Sequence, residues 1–79
     1  MQGVRVMIAG IGGASLGTEI AKSLNLSQRY TVFGCDISGT AFGIYAAEFS
    51  KTFLVDRDYY IDSVIEACHA AGTSWLIAG

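Results

Sequence analysis

The stretch VRVMIAGIGGASLG, residues 4–17, decides the fold of this chain. Its first six residues form a short apolar run that stops at Gly10, a pattern typical of a buried strand. Further glycines follow directly, and an apolar residue then recurs at every fourth position within residues 14–26, which predicts a helix with one apolar face. Strand, glycine turn and helix in this order indicate the start of an α/β domain.

The rest of the chain repeats this alternation of strand and helix. A longer helical pattern is predicted to start after Asp58 as N-cap and to end at Gly72, and a shorter one covers residues 41–48. Apolar strand-like runs separate these helices, at residues 30–35, 52–55 and 74–78. We therefore predict an α/β fold: a Rossmann-like open parallel sheet of about four strands with helices on both faces, in three α/β/α layers.

Composition limits both the size of the protein and the kinds of partner it can bind. With 79 residues, 52% of them hydrophobic, the chain is one small domain with a modest core. The net charge is −2 and the five Lys and Arg residues are dispersed, which argues against binding to nucleic acid or to an anionic membrane. No apolar run reaches the length of a membrane span and the first residues lack signal-peptide features, so we expect a cytoplasmic protein.

The cysteines and the other titratable residues do not suggest catalysis. Cys35 and Cys68 both lie in apolar periodic segments and lack a Cys/His metal spacing, so we predict two buried free thiols and no metal site. His69, the only histidine, has no obvious nucleophile to activate, and we assign no catalytic residue within this chain.

The glycine turn is the first candidate binding site. Gly10, Gly12 and Gly13 lie between the first strand and the first helix, where backbone N–H groups and the helix dipole favour an anion. Ser15 can add a hydroxyl donor, although it occupies the third glycine position of the dinucleotide pattern G-x-G-x-x-G. The alternative is that these glycines only permit a tight turn and close packing of helix on sheet.

Asp36 is the second candidate. It ends the second predicted strand, where a dinucleotide-binding fold places the acid that binds ribose hydroxyls. The alternative is an aspartate that accepts hydrogen bonds from neighbouring backbone amides in an Asx-turn.

The whole chain resembles the N-terminal, or pre-ATP-grasp, domain of ATP-grasp enzymes, and in particular the members similar to the large chain of carbamoyl phosphate synthase. The resemblance rests on the order of four segments rather than on any single motif. They are VRVMIAGIGGASLGTEIAKSL at residues 4–24, YTVFGCDIS at 30–38, GIYAAEFSKTFLV at 43–55 and DRDYYIDSVIEACHAAGTSWLIAG at 56–79.

This resemblance implies a role. Such enzymes use ATP and Mg²⁺ to activate a carboxylate, which an amine or thiol then attacks, and the ATP-binding residues lie in the domain that follows. It implies that residues 1–79 are a single domain of a longer ligase, inactive alone and holding no cofactor of their own, with the following ATP-grasp domain and a small-molecule substrate as partners. By the same resemblance, Gly10, Gly12 and Gly13 are the expected substrate contacts and Asp36 a further one.

Two other functions fit the same residues. The glycine turn and Asp36 also suit the first half of an NAD(P)-binding domain of an oxidoreductase. The high apolar content of so short a chain suits a small interaction protein that forms a homodimer through an exposed sheet edge.

Overall fold

The computed structural model of the chain describes residues 3–11, 16–37 and 49–78. These residues form four strands and two helices. In chain order they are β1 (Val4–Ala9), α1 (Leu16–Ser27), β2 (Tyr30–Asp36), β3 (Lys51–Leu54), α2 (Tyr60–Ala71) and β4 (Trp75–Ala78). Within this part of the chain, no helix is both long enough and apolar enough to cross a membrane.

The four strands form one parallel sheet in the order β3-β2-β1-β4. Val6 on the central strand pairs with Val32 of β2 on one side and with Trp75 of β4 on the other. The predicted α/β class and the four parallel strands are confirmed, and the strand ends differ from the sequence prediction by at most one residue. The predicted helix at residues 41–48 lies outside the described residues, so the complete three-layer, Rossmann-like arrangement remains a prediction.

Side chains alternate along the strands, so the sheet has two apolar faces. Face A carries Met7, Ala9, Phe33 and Cys35, and it packs against Val64, Ala67 and Ala71 of α2. Face B carries Val6, Ile8 and Val32, and it packs against Ala21 of α1 and against Phe49. The two described helices therefore lie on opposite faces, each over the centre of the sheet.

Arg5 of β1 forms a hydrogen bond with the last residue of α2. Its Nη1 donates a hydrogen bond of 2.7 Å to the carbonyl oxygen of Ala71, and its guanidinium lies 5.7 Å from the centre of the Phe33 ring. The helix ends one residue later at Gly72, whose φ of 65° is left-handed and favours glycine. The predicted C-cap at Gly72 is confirmed.

The predicted N-cap at Asp58 is wrong. The helix begins at Tyr60 with Tyr59 in the cap position, and the Ser63 N–H donates to the Tyr59 carbonyl oxygen at 2.9 Å. The Asp58 N–H instead donates to the carboxylate of Asp56 at 2.8 Å. This local bond stabilises a turn between β3 and α2, because Asp side chains compete with helical backbone hydrogen bonds. The helix therefore begins later in the chain than predicted, at Tyr60.

The two cysteines differ in burial. Both are free thiols, as predicted, but only Cys35 is fully buried, on face A, while Cys68 is half-buried on α2. The prediction that both are buried is therefore correct for Cys35 alone.

Candidate functional site

The parallel strands bring two predicted site residues to the same edge of the sheet. Gly10 follows β1 directly, and Asp36 is the last residue of β2. Open α/β sheets bind their ligands at this edge, beyond the carboxyl ends of the strands. Gly10 and Asp36 therefore define the candidate site.

Gly10 turns the chain away from the sheet. Its φ is 81°, a left-handed conformation that residues with a Cβ rarely adopt. Its N–H donates a hydrogen bond of 2.9 Å to the carbonyl oxygen of Cys35, so the pairing of β1 with β2 extends to this point. Ile11 follows and is fully buried on face B, which anchors the turn. A glycine is thus required at Gly10 by backbone geometry, as the sequence suggests.

Asp36 is held on one side by backbone pairing with β3. It lies opposite Leu54 of β3, and its carbonyl oxygen accepts a hydrogen bond of 2.9 Å from the Val55 N–H. The residue is half-buried. Its backbone is therefore fixed at the end of the sheet, which limits where its carboxylate can reach.

Gly10 and Asp36 line one cleft. Its volume is about 380 Å³, and its other lining residues are Ile37, Arg57 and Tyr60. This volume lies at the lower end of the range of small-molecule sites, roughly 300–1,000 Å³. The structure thus brings together two residues that the sequence nominated separately, in a space suited to a small ligand.

The other predicted residues of the glycine turn cannot be placed in this cleft. Gly12, Gly13 and Ser15 lie outside the described residues. Their role in binding stays a prediction.

Sequence reasoning missed three residues of the cleft, namely Ile37, Arg57 and Tyr60. Arg57 lies in the turn that the Asp56 carboxylate stabilises, and Tyr60 is the first residue of α2. The available signal was that Ile37 and Arg57 each lie two residues after a predicted strand, where side chains are close to the ligand-binding edge. Tyr60 lies five residues after its strand and carried no such signal. Which strand ends share a cleft depends on the order of the strands in the sheet, and local sequence patterns do not specify that order.

Burial keeps two nearby groups protonated. It raises the pKa of the Tyr60 hydroxyl, and the neighbouring charges of Cys35 and Asp36 raise it further. Burial also raises the pKa of the Cys35 thiol to about 11, with added effects of Cys68 and Asp36. Tyr60 is therefore a neutral hydrogen-bonding group at pH 7, and Cys35 is a poor nucleophile.

The described part of the cleft offers one carboxylate, one guanidinium, one phenol and an aliphatic side chain. These groups can bind and orient a small polar molecule. Comparison of the chain with protein-family models, with curated proteins and with solved structures gives no match. Functional inference therefore rests on the geometry of the site and on the sequence resemblance.

Proposed function

We propose that this chain is the N-terminal, substrate-side domain of a cytoplasmic ATP-grasp ligase and that its cleft holds part of the ligase's small-molecule substrate. The observation that carries the proposal is the shared cleft of Gly10 and Asp36 at the carboxyl edge of a parallel sheet. The resemblance of the whole chain to pre-ATP-grasp domains supplies the reaction class. ATP and Mg²⁺ would be bound by the ATP-grasp domain that follows.

The chemistry of the cleft suits binding better than catalysis. Arg57 and Asp36 offer opposite charges to a ligand, and Tyr60 offers a neutral hydroxyl. The buried Cys35 thiol stays protonated near neutral pH. We therefore expect the 79 residues to contribute substrate contacts and to show no turnover by themselves.

Two measurements test this function. The source gene is sequenced beyond the codon for Gly79, where we expect an open frame of about 200 residues or more, enough for a further domain. The pure 79-residue chain is incubated with MgATP, and we expect no ADP release above buffer. A stop codon directly after Gly79, or ADP release by the pure chain, would contradict the proposal.

A dinucleotide is the main competing ligand, because Asp36 at the end of β2 beside Gly10 also suits a ribose. Titration with NADH, followed through the amide NMR signals of Gly10 and Asp36, distinguishes an NAD(P)-binding domain from the proposed ligase domain. Saturable shifts at micromolar NADH would favour the first half of an NAD(P)-binding domain. Unchanged signals at millimolar NADH would favour the ligase domain.

Self-association is a second candidate function, and the edge strand β4 favours it. The sequence of β4 is WLIA, which carries no charge, and Trp75 and Leu76 are 66% and 53% exposed. An uncharged, exposed edge strand is a template for pairing with another strand. A second copy fits this edge because two β4 strands can pair about a two-fold axis with no like charges between them.

The apolar surface beside β4 extends this candidate interface. A groove of about 310 Å³ runs along face B between Trp75, Ile77, Leu24 and Tyr30. Trp75 contributes an exposed aromatic side chain to this surface, whereas a standard interface buries roughly 800 Å² per partner. We therefore propose a weak, concentration-dependent homodimer of the isolated domain.

Sedimentation equilibrium tests the dimer with a matched pair of variants. Leu76→Lys places a charge on the β4 edge, and Leu54→Lys places the same charge on β3 at the opposite edge, where Leu54 is 64% exposed. We expect only Leu76→Lys to make the protein monomeric. A wild-type monomer at all concentrations, or equal effects of both variants, would contradict dimerisation through β4.

A further inference from the structure

The outer side of β4 carries a defined pattern of backbone groups. In the described sheet β4 lies at one edge, with β1 as its neighbour. The Ser74 N–H donates to the Arg5 carbonyl oxygen at 2.9 Å, so Ser74 directs its backbone groups toward β1. Successive residues of a strand direct their N–H and C=O groups to opposite sides, so Leu76 also faces β1. Trp75 and Ile77 therefore supply the backbone donors and acceptors of the outer side.

The side chains of β4 alternate between the two faces of the sheet. Leu76 pairs in register with Met7 of face A, whereas Trp75 pairs with Val6 of face B. Ile77 lies on the same face as Trp75. A second copy can continue both apolar faces only if it sets its own face A beside face A and its face B beside face B.

We infer that two copies of the chain pair through β4 in antiparallel orientation, with Leu76 directly opposite Leu76 of the second copy, so that the two sheets join into one. This inference rests on the proposed self-association and specifies how the two copies meet. A two-fold axis perpendicular to the sheet makes the two β4 strands antiparallel and keeps each face beside its own kind.

Backbone hydrogen bonding selects this register. With Leu76 on the axis, Trp75 lies opposite Ile77 of the second copy, and both residues direct their backbone groups outward. They form the hydrogen-bonded pairs on either side of the axis, and Leu76 forms the non-hydrogen-bonded pair between them. A shift by one residue would set face A side chains opposite face B side chains. A shift by two residues would leave either Trp75 or Ile77 opposite residues outside β4.

The side chains fit the same arrangement. Leu76 is 53% exposed and would cover its counterpart on face A, where the Cα atoms of a non-hydrogen-bonded pair are about 4.5 Å apart. On face B, Trp75 would meet Ile77 of the second copy beside the groove that Leu24 and Tyr30 also line. The described helices lie over β1 and β2, which keeps them away from the axis.

Disulfide cross-linking tests the register. The full chain with Leu76→Cys is oxidised in air with copper phenanthroline, and the covalent dimer is measured on a non-reducing gel. The wild type, which carries Cys35 and Cys68, gives the background. Trp75→Cys is the matched control, because Trp75 is more exposed than Leu76 but would lie more than about 7 Å from its counterpart, too far for a disulfide. We expect Leu76→Cys to cross-link at least about tenfold faster than Trp75→Cys.

A mixture of two variants shows that a weak result for Trp75→Cys comes from register and not from loss of the dimer. Trp75 and Ile77 of the second copy are opposite each other, so Trp75→Cys mixed with Ile77→Cys should give a covalent heterodimer. Neither variant alone should give a comparable covalent dimer, since each would lie too far from its own counterpart.

Amide hydrogen exchange supplies a second readout on the wild type, without a new cysteine. The N–H groups of Trp75 and Ile77 should exchange at least about tenfold more slowly in concentrated than in dilute solution, because they become hydrogen-bonded in the dimer. The Leu76 N–H faces β1 and should change little.

The inference is overturned if Trp75→Cys cross-links with itself as fast as Leu76→Cys does. It is also overturned if exchange at Trp75 and Ile77 is independent of concentration in a chain that sedimentation shows to be a dimer. Either result would leave self-association standing and reject only the register. A wild-type chain that is monomeric at all concentrations would reject both, and none of these results bears on the gene-sequencing test of the ligase proposal.

Discussion

β1 and β4 are neighbouring strands with similar sequences and very different surroundings. Both are apolar runs, VRVMIA and WLIA, and they pair in register from Val6 with Trp75 to Ala9 with Ala78. Val6, Met7 and Ile8 are at most 2% exposed, whereas Trp75 and Leu76 are more than half exposed. An apolar run therefore specifies a strand, while its burial depends on the helices that cover it. Here α1 and α2 both cover the centre of the sheet.

The sharpest test of this difference compares Ile8→Ala with Ile77→Ala, since the two residues face each other in register. Ile8 is fully buried, so its truncation should lower the free energy of unfolding by about 2–5 kcal/mol. Ile77 is half-buried, and the same change should cost about 1–2 kcal/mol. Urea unfolding followed by circular dichroism measures both. Equal losses would mean that β4 is as well covered as β1.

A second test probes how tightly the centre of the sheet is packed. A Cβ at Gly34 of β2 would lie 2.8 Å from Cδ1 of Ile11 and 2.9 Å from Cδ1 of Phe49, too close for either to remain in place. Gly34→Ala should therefore destabilise the chain by about 1–3 kcal/mol through overpacking, despite the better strand propensity of alanine. Thermal unfolding gives the value.

Phe49→Leu provides the control for that overpacking. The smaller side chain makes room at face B, so Gly34→Ala should cost less in the Phe49→Leu background than in the wild type. If the two changes are strictly additive, the Phe49 ring does not restrict Gly34.

The buried thiol of Cys35 makes the core sensitive to alkaline pH. Its pKa is raised from 9.0 to about 11, mainly by burial, so the folded chain holds this proton more tightly than the unfolded chain. The resulting stability is fully present below pH 9 and is lost as the pH rises toward 11. Between about pH 8 and pH 10, this thiol alone should lower the free energy of unfolding by roughly 1.4 kcal/mol.

Urea titrations at about pH 8 and about pH 10, under reducing conditions, compare the free energy of unfolding of the wild type with that of two variants. Cys35→Ala has no thiol to ionise at this position and should lose less stability on raising the pH. Cys68→Ala keeps Cys35, and because burial is the largest cause of its shift, most of the pH effect should remain. A pH dependence that is identical in Cys35→Ala and the wild type would show that another group is responsible.

Local features of the fold could be predicted from the sequence, and long-range ones could not. The strand before Gly10 and the C-cap at Gly72 were predicted correctly because both depend on a few adjacent residues. The N-cap at Asp58 was predicted wrongly because Asp56, two residues earlier, accepts the Asp58 N–H. A correct prediction required deciding between two local hydrogen bonds of similar strength: a helix cap made by the Asp58 side chain, and the bond from the Asp58 N–H to Asp56.

The residues of the candidate site also fall into two groups, those that local sequence patterns predict and those that depend on long-range arrangement. Gly10 and Asp36 were found from local patterns, a glycine after one strand and an acid at the end of the next. Arg57 and Tyr60 were missed because they join the cleft only through the arrangement of the strands and of α2, which brings together the ends of elements far apart in the chain. The exposure of Trp75 was equally inaccessible, since it depends on where α1 and α2 lie.

The smallest expected effect belongs to Leu76→Thr, which completes the comparison between the two strands. Leu76 pairs in register with Met7, but Leu76 is 53% exposed and Met7 is fully buried. Threonine suits a strand, so Leu76→Thr should change the free energy of unfolding of the monomer by no more than about 0.5 kcal/mol. Met7→Thr, with the same new side chain in the same register, should destabilise by several times that amount, because it places a hydroxyl in the core of face A. Unfolding is measured at low protein concentration, where a dimer through β4 is dissociated. A large loss for Leu76→Thr under these conditions would mean that β4 is covered within the monomer, and the contrast between β1 and β4 would then fail.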